Sequence, residues 1–382
     1  MQLRKTLKYK LYGNRRNRRL HQMIDIAGII WNQCLAAQRL AFESGDGYIS
    51  KYDLQKRVAR LRRYHPHCRH WKLVDSQAVQ QIVERVDQGY RRFFAYKKGA
   101  TQRKAGRPRF KKVKQYKSVT LKQSGWRYLG GNKIRIGAHR YKFALSRPLE
   151  GTVKTVTVKR DQLGALWLCF SVIQEVPGVE FSAGEIGGFD FGMKTFLTDH
   201  EGKQYLNPQY FKAELAKIAG LNRQLSRKQL GSSNRKKAKR RLAQAHVRIA
   251  NKRSQFHWQL AHELTDRFAV LRFEDLHMQG MKRLWGRKVS DLGFAEFMRI
   301  IKQLCVVKGK LFEQIERWNP SSQCCAECGH RQAMSLAVRV FACGQCGVVR
   351  DRDHNAALNI QAGGASPVRL GDVRRQHVAI PA

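Results

Sequence analysis

Between Gln2 and Leu11 the apolar positions Leu3, Leu7, Tyr9 and Leu11 alternate imperfectly with basic ones, which suits a half-exposed strand. The spacing then becomes helical. Leu20, Met23, Ile24, Ala27, Ile30, Trp31, Cys34 and Leu35 fall on one stripe, as do Val79, Ile82, Val83, Val86, Tyr90, Phe93 and Phe94. The pattern predicts packed helices in an early insert, with their aromatic residues in the core rather than serving as base-stacking platforms. From Gly106-Arg-Pro-Arg-Phe110 onward strand patterning returns, and Thr152 to Lys159 and Leu166 to Ile173 read as a hairpin joined through Asp161-Gln-Leu-Gly164. The N-terminal half is expected to be a small β-barrel interrupted by helices.

A second unit begins near Glu185. Ile186 to Thr198 reads as one strand, turning at Asp199-His-Glu-Gly-Lys203 into its hairpin partner. Glycines on either side of Asp190 are expected to leave room for a phosphate or a metal. Basic helical segments follow, broken at Gly231-Ser-Ser233. A short apolar strand, Ala269 to Leu276, carries Glu274, and Leu311 to Trp318 reads as another strand.

A length of 382 residues allows two or three domains, and 42% hydrophobic content supports a folded core. No apolar run approaches a membrane span, and the basic start lacks an apolar stretch after it, so the chain is expected to be intracellular. Charge changes the picture more. The chain holds 74 Lys and Arg against 28 Asp and Glu, a formal net charge of +46. No acid occurs from Gln88 to Pro148 or from Leu215 to His262. Solvated faces normally mix both signs, so tracts this one-sided point to nucleic acid.

Two metal chemistries lie close together near the C-terminus. Cys325-Ala-Glu-Cys328 and Cys343-Gly-Gln-Cys346 are CxxC pairs with 14 residues between them, room for a hairpin that returns the second pair to the first. Four cysteines so spaced read as a zinc ribbon, since CxxC pairs in a reducing compartment are more often metal sites than disulfides. Cys324 offers a competing pairing but a looser one. Directly afterwards comes Asp351-Arg-Asp353-His-Asn-Ala-Ala-Leu-Asn-Ile360, a carboxylate at the head of a helix, which suits a hard metal such as magnesium. Asp190, Glu274 and Asp353 then stand in the order Asp, Glu, Asp. In an RNase H-like fold such carboxylates converge on two magnesium ions. Singly they have ordinary roles as turn residue, surface charge and helix cap. His65-Pro-His67-Cys68-Arg-His70 is expected to be an exposed loop rather than a metal site.

Together these residues resemble the TnpB family, transposon-associated RNA-guided DNA nucleases akin to compact type V CRISPR effectors. The resemblance runs through Trp31-Asn32, Gly106-Arg-Pro-Arg-Phe-Lys111, Asp190-Phe-Gly192 and Phe273-Glu-Asp-Leu276. Its most specific part is Pro320-Ser-Ser-Gln323, the two CxxC pairs and Asp351 to Ile360. One variable residue precedes the family's first ligand, here Cys324, which favours Cys325 as the ligand.

The resemblance implies an α+β multidomain chain. Residues 1–14 and 106–180 would form a wedge-like β-barrel and 15–105 a helical recognition insert. Residues 181–317 and 349–362 would form a RuvC-like nuclease domain, 318–348 a zinc-ribbon insert and 363–382 a flexible tail. It implies Asp190, Glu274 and Asp353 as catalytic magnesium ligands, with Asp353 preferred to Asp351 because it stands two residues before Asn355. Cys325, Cys328, Cys343 and Cys346 would bind structural zinc. Gln80, Arg107, Arg109, Lys111, Lys236, Lys237, Arg240 and Arg241 are candidate nucleic-acid contacts. The implied partners are a transposon-derived guide RNA and double- and single-stranded target DNA, met in the cytoplasm at a prokaryotic nucleoid. A guide-bound protein that does not cut, or a transposase or resolvase working without RNA, are the other classes. Transposases of the DDE kind order their acids differently.

Overall fold

The computed structural model describes residues 2–175, 184–276, 280–281, 283, 286, 289, 291–315, 321–335 and 338–363. Residues 316–318 of the expected strand and the expected tail beyond Gly363 lie outside them. The chain forms two compact units, Met1–Val176 and Pro177–Ala382.

In the first unit β1 (Gln2–Lys10) is followed by α1 (Asn17–Glu43), α2 (Lys51–Tyr64) and α3 (Ser76–Lys97). The remaining strands are β2 (Ser118–Leu121), β3 (Trp126–Tyr128), β4 (Lys133–Ile136), β5 (His139–Lys142), β6 (Thr152–Arg160) and β7 (Leu166–Glu175). Side-chain caps fix two helix starts: Ser50 accepts from the Asp53 amide and Asp75 from the Gln77 amide. The strands make an antiparallel sheet in the order β1-β7-β6-β2 and a second sheet, β3-β4-β5. An isolated bridge between Leu11 and Phe143 joins the two. Among the described residues no strand pairing closes them into the ring that a barrel requires. Tyr9, Phe143 and Phe170 pack at the centre with ring centroids 5.3 to 5.7 Å apart.

Two expectations for this unit need correction. Val79, Ile82, Val83 and Val86 of α3 are buried as predicted, but Tyr90 and Phe93 are half-buried and Phe94 is exposed. The helical period shows which face points inward, not where along the helix the core ends. His65 to His70, expected as an exposed loop, is exposed apart from half-buried Cys68, but from Pro66 on it belongs to a 3-10 helix, Pro66–Leu73, seated by buried Trp71.

The second unit starts with β8 (Ile186–Asp190), β9 (Thr195–Asp199) and β10 (Gln204–Leu206), followed by α4 (Tyr210–Ala213), α5 (Leu215–Ser226) and α6 (Ser233–Arg267). Next come β11 (Val270–Glu274), α7 (Phe294–Lys308), β12 (Leu311–Ile315), β13 (Val340–Ala342), β14 (Val349–Asp351) and α8 (Arg352–Ala362). Its main sheet runs β10-β9-β8-β11-β12, with β8 antiparallel to β9 and parallel to β11, and β11 parallel to β12. The stretch expected as one strand from Ile186 to Thr198 is therefore two. The chain leaves the sheet after Asp190 because Phe191 turns into the apolar cluster, 4.6 Å from the Phe294 ring. A Cβ at Gly192 would stand 2.5 Å from the Thr195 carbonyl oxygen, so this turn needs glycine. The break at Gly231-Ser-Ser233 becomes the start of α6, where Ser232 accepts from the Arg235 amide.

Phe189, Leu271 and Phe273 from the sheet join Leu260, Leu264, Phe297 and Ile301 from α6 and α7 in one buried cluster. Strand side chains alternate in direction, so the neighbouring positions Gly188, Asp190, Arg272 and Glu274 face the opposite side. That side is covered by α8, whose Ala356, Ala357 and Ile360 are buried. The final β-hairpin pairs Val340 with Asp351. It thus runs past the expected ribbon boundary at residue 348.

Candidate active site and metal centre

Parallel pairing sets the first two carboxylates side by side. Phe189 is in register with Phe273, so Asp190 and Glu274 follow at the same edge and, by alternation, on the α8 face. Helix α8 runs back along β8: Gln361 donates to the Ile186 carbonyl at 2.8 Å, and a Cβ on Gly188 would meet the Ala357 carbonyl oxygen at 2.3 Å. Asp353, near the other end of α8, is thereby carried toward Asp190. The glycine expectation fails here, because Gly188 admits the backbone of α8 and Gly187 the Phe189 and Phe268 rings, not a phosphate or metal.

Electrostatics record the convergence. Burial, then the negative charges of Asp353 and Glu274, hold the Asp190 carboxyl well above the usual carboxylate range, against the pull of Arg352 and the Phe191 amide. Glu274 is raised by burial and by neighbouring Asp275. Asp353 is partly buried, with Arg352 Nε 3.7 Å and Arg339 Nη1 3.8 Å from one of its oxygens. Like charges crowded in partial burial need a counter-charge, and an all-carboxylate donor set fits a hard divalent cation. Among the described residues the groups whose potential ligand atoms all lie within 4.8 Å are the four cysteines and Glu185, His200 and Glu201. Asp190, Glu274 and Asp353 are not among these groups.

Asp351 and Asp353 have different roles. Asp351 caps α8, its Oδ1 accepting from the Asp353 amide at 2.9 Å and the His354 amide at 3.1 Å. Asp353 sits inside the first turn with its carboxylate free of capping, where the helix dipole favours negative charge. Two asparagines tie α8 to the start of the cysteine segment. Buried Asn355 donates to the Cys324 carbonyl at 2.7 Å and accepts from the Ala326 amide at 3.1 Å. One turn on, Asn359 donates to the Ser321 and Cys324 carbonyls, both at 2.7 Å. Arg352 adds bonds to the Ser335 and Val338 carbonyls.

The four cysteines form a cage. Cys325 and Cys346 sulfurs are 3.6 Å apart, as are those of Cys328 and Cys343. A tetrahedral zinc with Zn–S of about 2.3 Å places its sulfurs about 3.8 Å apart, so the cage fits that ion and is far too open for disulfides. Both turns are built alike. The amide of Cys325 donates to His330 O and that of Gly329 to Cys325 O; the amide of Cys343 donates to Val348 O and that of Gly347 to Cys343 O. Gly329 and Gly347 close them at φ +74° and +73°. Cys343 is pulled down to about 6 by the amides of Cys346 and Gln345, while Cys346, against the Val348 amide that donates to it, is pushed up to about 12 by desolvation and the surrounding thiols. A divalent cation removes that conflict by letting every thiol deprotonate. Cys324 stands outside this group of four; its backbone bridges Arg331 and its carbonyl serves the two asparagines.

The candidate nucleic-acid contacts divide. Lys236, Lys237, Arg240 and Arg241 are exposed on α6, away from its buried Ala238, Ala245 and Ile249. Gln80, Arg107 and Arg109 are exposed as well. Lys111 differs, its ammonium lying 4.3 Å from the Trp31 ring and its pKa lowered by burial. Trp31 and Asn32 bond to the backbones of Arg109 and Lys111, which pins Gly106 to Lys111 onto α1. The asparagine clamp was missed in the sequence, although its i, i+4 spacing was a signal. So was the shared C-x-x-C-Gly pattern.

A family model described as "Cas12f1-like, TNB domain" matches residues 294–360, and one described as "Probable transposase" matches residues 175–284. A Streptomyces pristinaespiralis protein, "Putative RNA-guided DNA endonuclease", is 29% identical over 97% of this chain and 92% of its own length. "Putative RNA-guided DNA endonuclease InsQ" of Escherichia coli K12 is 26% identical over 94% of this chain and 92% of its own. Among solved structures, "Cryo-EM structure of the Cas12f1-sgRNA-target DNA complex" shares the α+β fold at a TM-score of 0.57 and 16% identity, over 94% of this chain and 99% of that one.

Proposed function

We propose that this chain is an RNA-guided DNA endonuclease of the TnpB family that cuts guide-matched DNA beside a short flanking motif by two-metal phosphodiester hydrolysis. The observation that carries the proposal is the meeting of Asp190, Glu274 and Asp353 on the α8 face of one sheet edge. The β10-β9-β8-β11-β12 order, with β9 reversed, supports an RNase H-like, RuvC-type domain split by a zinc ribbon whose last strand runs to Asp351. Asp190, Glu274 and Asp353 would hold magnesium, which when bound activates water and stabilises the leaving oxygen. Cys325, Cys328, Cys343 and Cys346 would hold structural zinc.

The protein's own groups do the rest. Exposed Lys236, Lys237, Arg240 and Arg241 line one face of α6 and meet backbone phosphates, leaving sequence choice to guide pairing. Residues 2–175 serve as the wedge-like unit and its helical insert. No helix among the described residues is long and apolar enough to cross a membrane.

The test is cleavage of guide-matched DNA with magnesium by Asp190→Ala, Glu274→Ala and Asp353→Ala proteins. Each should lose cutting while retaining guide RNA and target binding. Cutting that persists in Asp190→Ala, or a parent protein that binds guide and target without cutting, overturns the proposal, and the latter result marks a guide-bound DNA-binding protein.

A further inference from the structure

A cavity of about 670 Å³ lies wholly within the first unit, between α1, α3 and the segment Gly106 to Phe110. Neither the carboxylates nor the cysteine cage uses it, and its volume is that of a ligand site, about 300–1,000 Å³. Its lining is unusual for a fold defect. Phe42 is 66% exposed, Phe110 47%, Tyr48 40% and Phe94 38%, and these four rings belong to no buried cluster. Guanidinium groups stand among them. Arg107 lies 5.3 Å from the centroids of both Phe42 and Phe93, and Arg39 lies 5.2 Å from that of Phe110. Glu43 is the single acid of the lining.

The surface is also held in place. Tyr48 donates to Asp87 at 2.9 Å, and Arg91 pairs with that carboxylate at 2.8 Å. The Arg107–Phe110 wall is pinned from α1 by Trp31 and Asn32, and from α3 by Gly89, where a Cβ would come within 2.9 Å of Pro108. Exposed rings on a pinned backbone, with guanidinium groups among them, suit a binding surface better than a space-filling one.

A flat π-system joined to an anion satisfies both halves of this lining. An apolar peptide would use the rings and leave the guanidinium groups unanswered. Bases in duplex DNA cover one another's faces and must be unstacked before they can enter, whereas loops and bulges of a folded RNA present open bases. We propose that this cavity stacks an unpaired base of the guide RNA against Phe42 and Phe110, with Arg39, Arg107 and Arg109 holding the flanking phosphates. The proposal rests on the RNA-guided reading for the identity of the RNA, while the stacking chemistry can be tested apart from it.

The probe is a single-stranded oligouridylate of about 20 nucleotides carrying one 4-thiouridine, a length that exceeds one stacking site. It is bound to the full-length, RNA-free protein and irradiated, with duplex DNA of equal length as the second probe. Crosslinks should map to peptides containing Phe42, Phe93 or Phe110. Phe42→Ala and Phe110→Ala should remove those crosslinks and weaken oligouridylate binding about 5- to 150-fold, leaving duplex affinity unchanged. The slope of log affinity against log salt should stay as in the parent, because no phosphate contact is lost. Phe110→Trp should restore binding. Since these rings lie outside the core, the variants should keep the parent's circular dichroism. Crosslinks confined to other segments, equal losses on both probes, or unchanged oligouridylate binding overturn the proposal. If the variants instead lose a protein partner while RNA binding stands, the cavity is a protein-docking site and the proposal also fails. Failure of RNA to co-purify with the parent protein counts against the RNA-guided reading alone.

Discussion

The clamp between α8 and the cysteine segment should reveal itself as non-additive energetics. Asn355→Ala removes two hydrogen bonds, but the Cys324 carbonyl keeps its bond from Asn359, so the orphaned group is the Ala326 amide. An orphaned buried donor costs about 1–3 kcal/mol, and Ala326 is half-buried, which sets the expectation at about 1–2 kcal/mol. Asn359→Ala strands the Ser321 carbonyl and again leaves Cys324 served, this time by Asn355. Only the double variant strips the Cys324 carbonyl of both donors. Its destabilisation should exceed the sum of the single ones by about 0.5–2 kcal/mol, within the range for residues sharing a partner. The assay is denaturant unfolding of the zinc-loaded protein, with magnesium-dependent cleavage alongside. Because α8 carries Asp353, the magnesium concentration for half-maximal cleavage should rise in the order single, then double. Simple additivity, or unfolding losses with no shift in magnesium demand, would refute the view that the clamp positions Asp353.

The remaining predictions concern the cage and the carboxylates. Cys343→Ser should reduce bound zinc from about one ion per chain and loosen the ribbon, as metal analysis would read; full occupancy in that variant would contradict a four-thiolate site. Asp351→Ala removes a helix cap, so it should cost about 1 kcal/mol of stability and cut activity far less than Asp353→Ala, in melting and cleavage assays run side by side. The folded-state pKa values of Asp190 and Glu274 are raised, so their contribution is fully present below the unfolded value of about 4 and is lost as pH rises through the folded values. With a chelator present, Asp190→Asn should therefore melt above the parent at pH 8, with the gap closing toward pH 4; a variant that melts below the parent at pH 8 would reverse the sign and the reasoning.

What the sequence disclosed depended on whether the deciding partner was local. A CxxC turn specifies its own geometry, so the four cysteines could be grouped from spacing alone, and Asp190 and Glu274 could be assigned to strands and Asp353 to a helix start from the apolar patterning around each. Which acid caps the helix was not legible: local sequence offered Asp353 as the cap, its preference over Asp351 as a metal ligand came from the resemblance, and the structure gives the cap to Asp351. The failures have distant causes. Gly188 is glycine because of Ala357 and Gln361, some 170 residues later in the chain, and no window around position 188 contains them. Ile186 to Thr198 read as one strand because Phe191 and Met193 prolong the apolar pattern, while both pack against the buried cluster, Phe191 on rings from β9, β11 and α7. The aromatic stripe of α3 is the most instructive case. Periodicity correctly gave it one face, but the buried part ends at Asp87, and Phe93 and Phe94 continue the same face into solvent. A stripe that outruns its core is either left to cost stability or kept for a partner. The guanidinium groups set among these rings, in a tract without acids from Gln88 to Pro148, favour a partner and give it a negative charge.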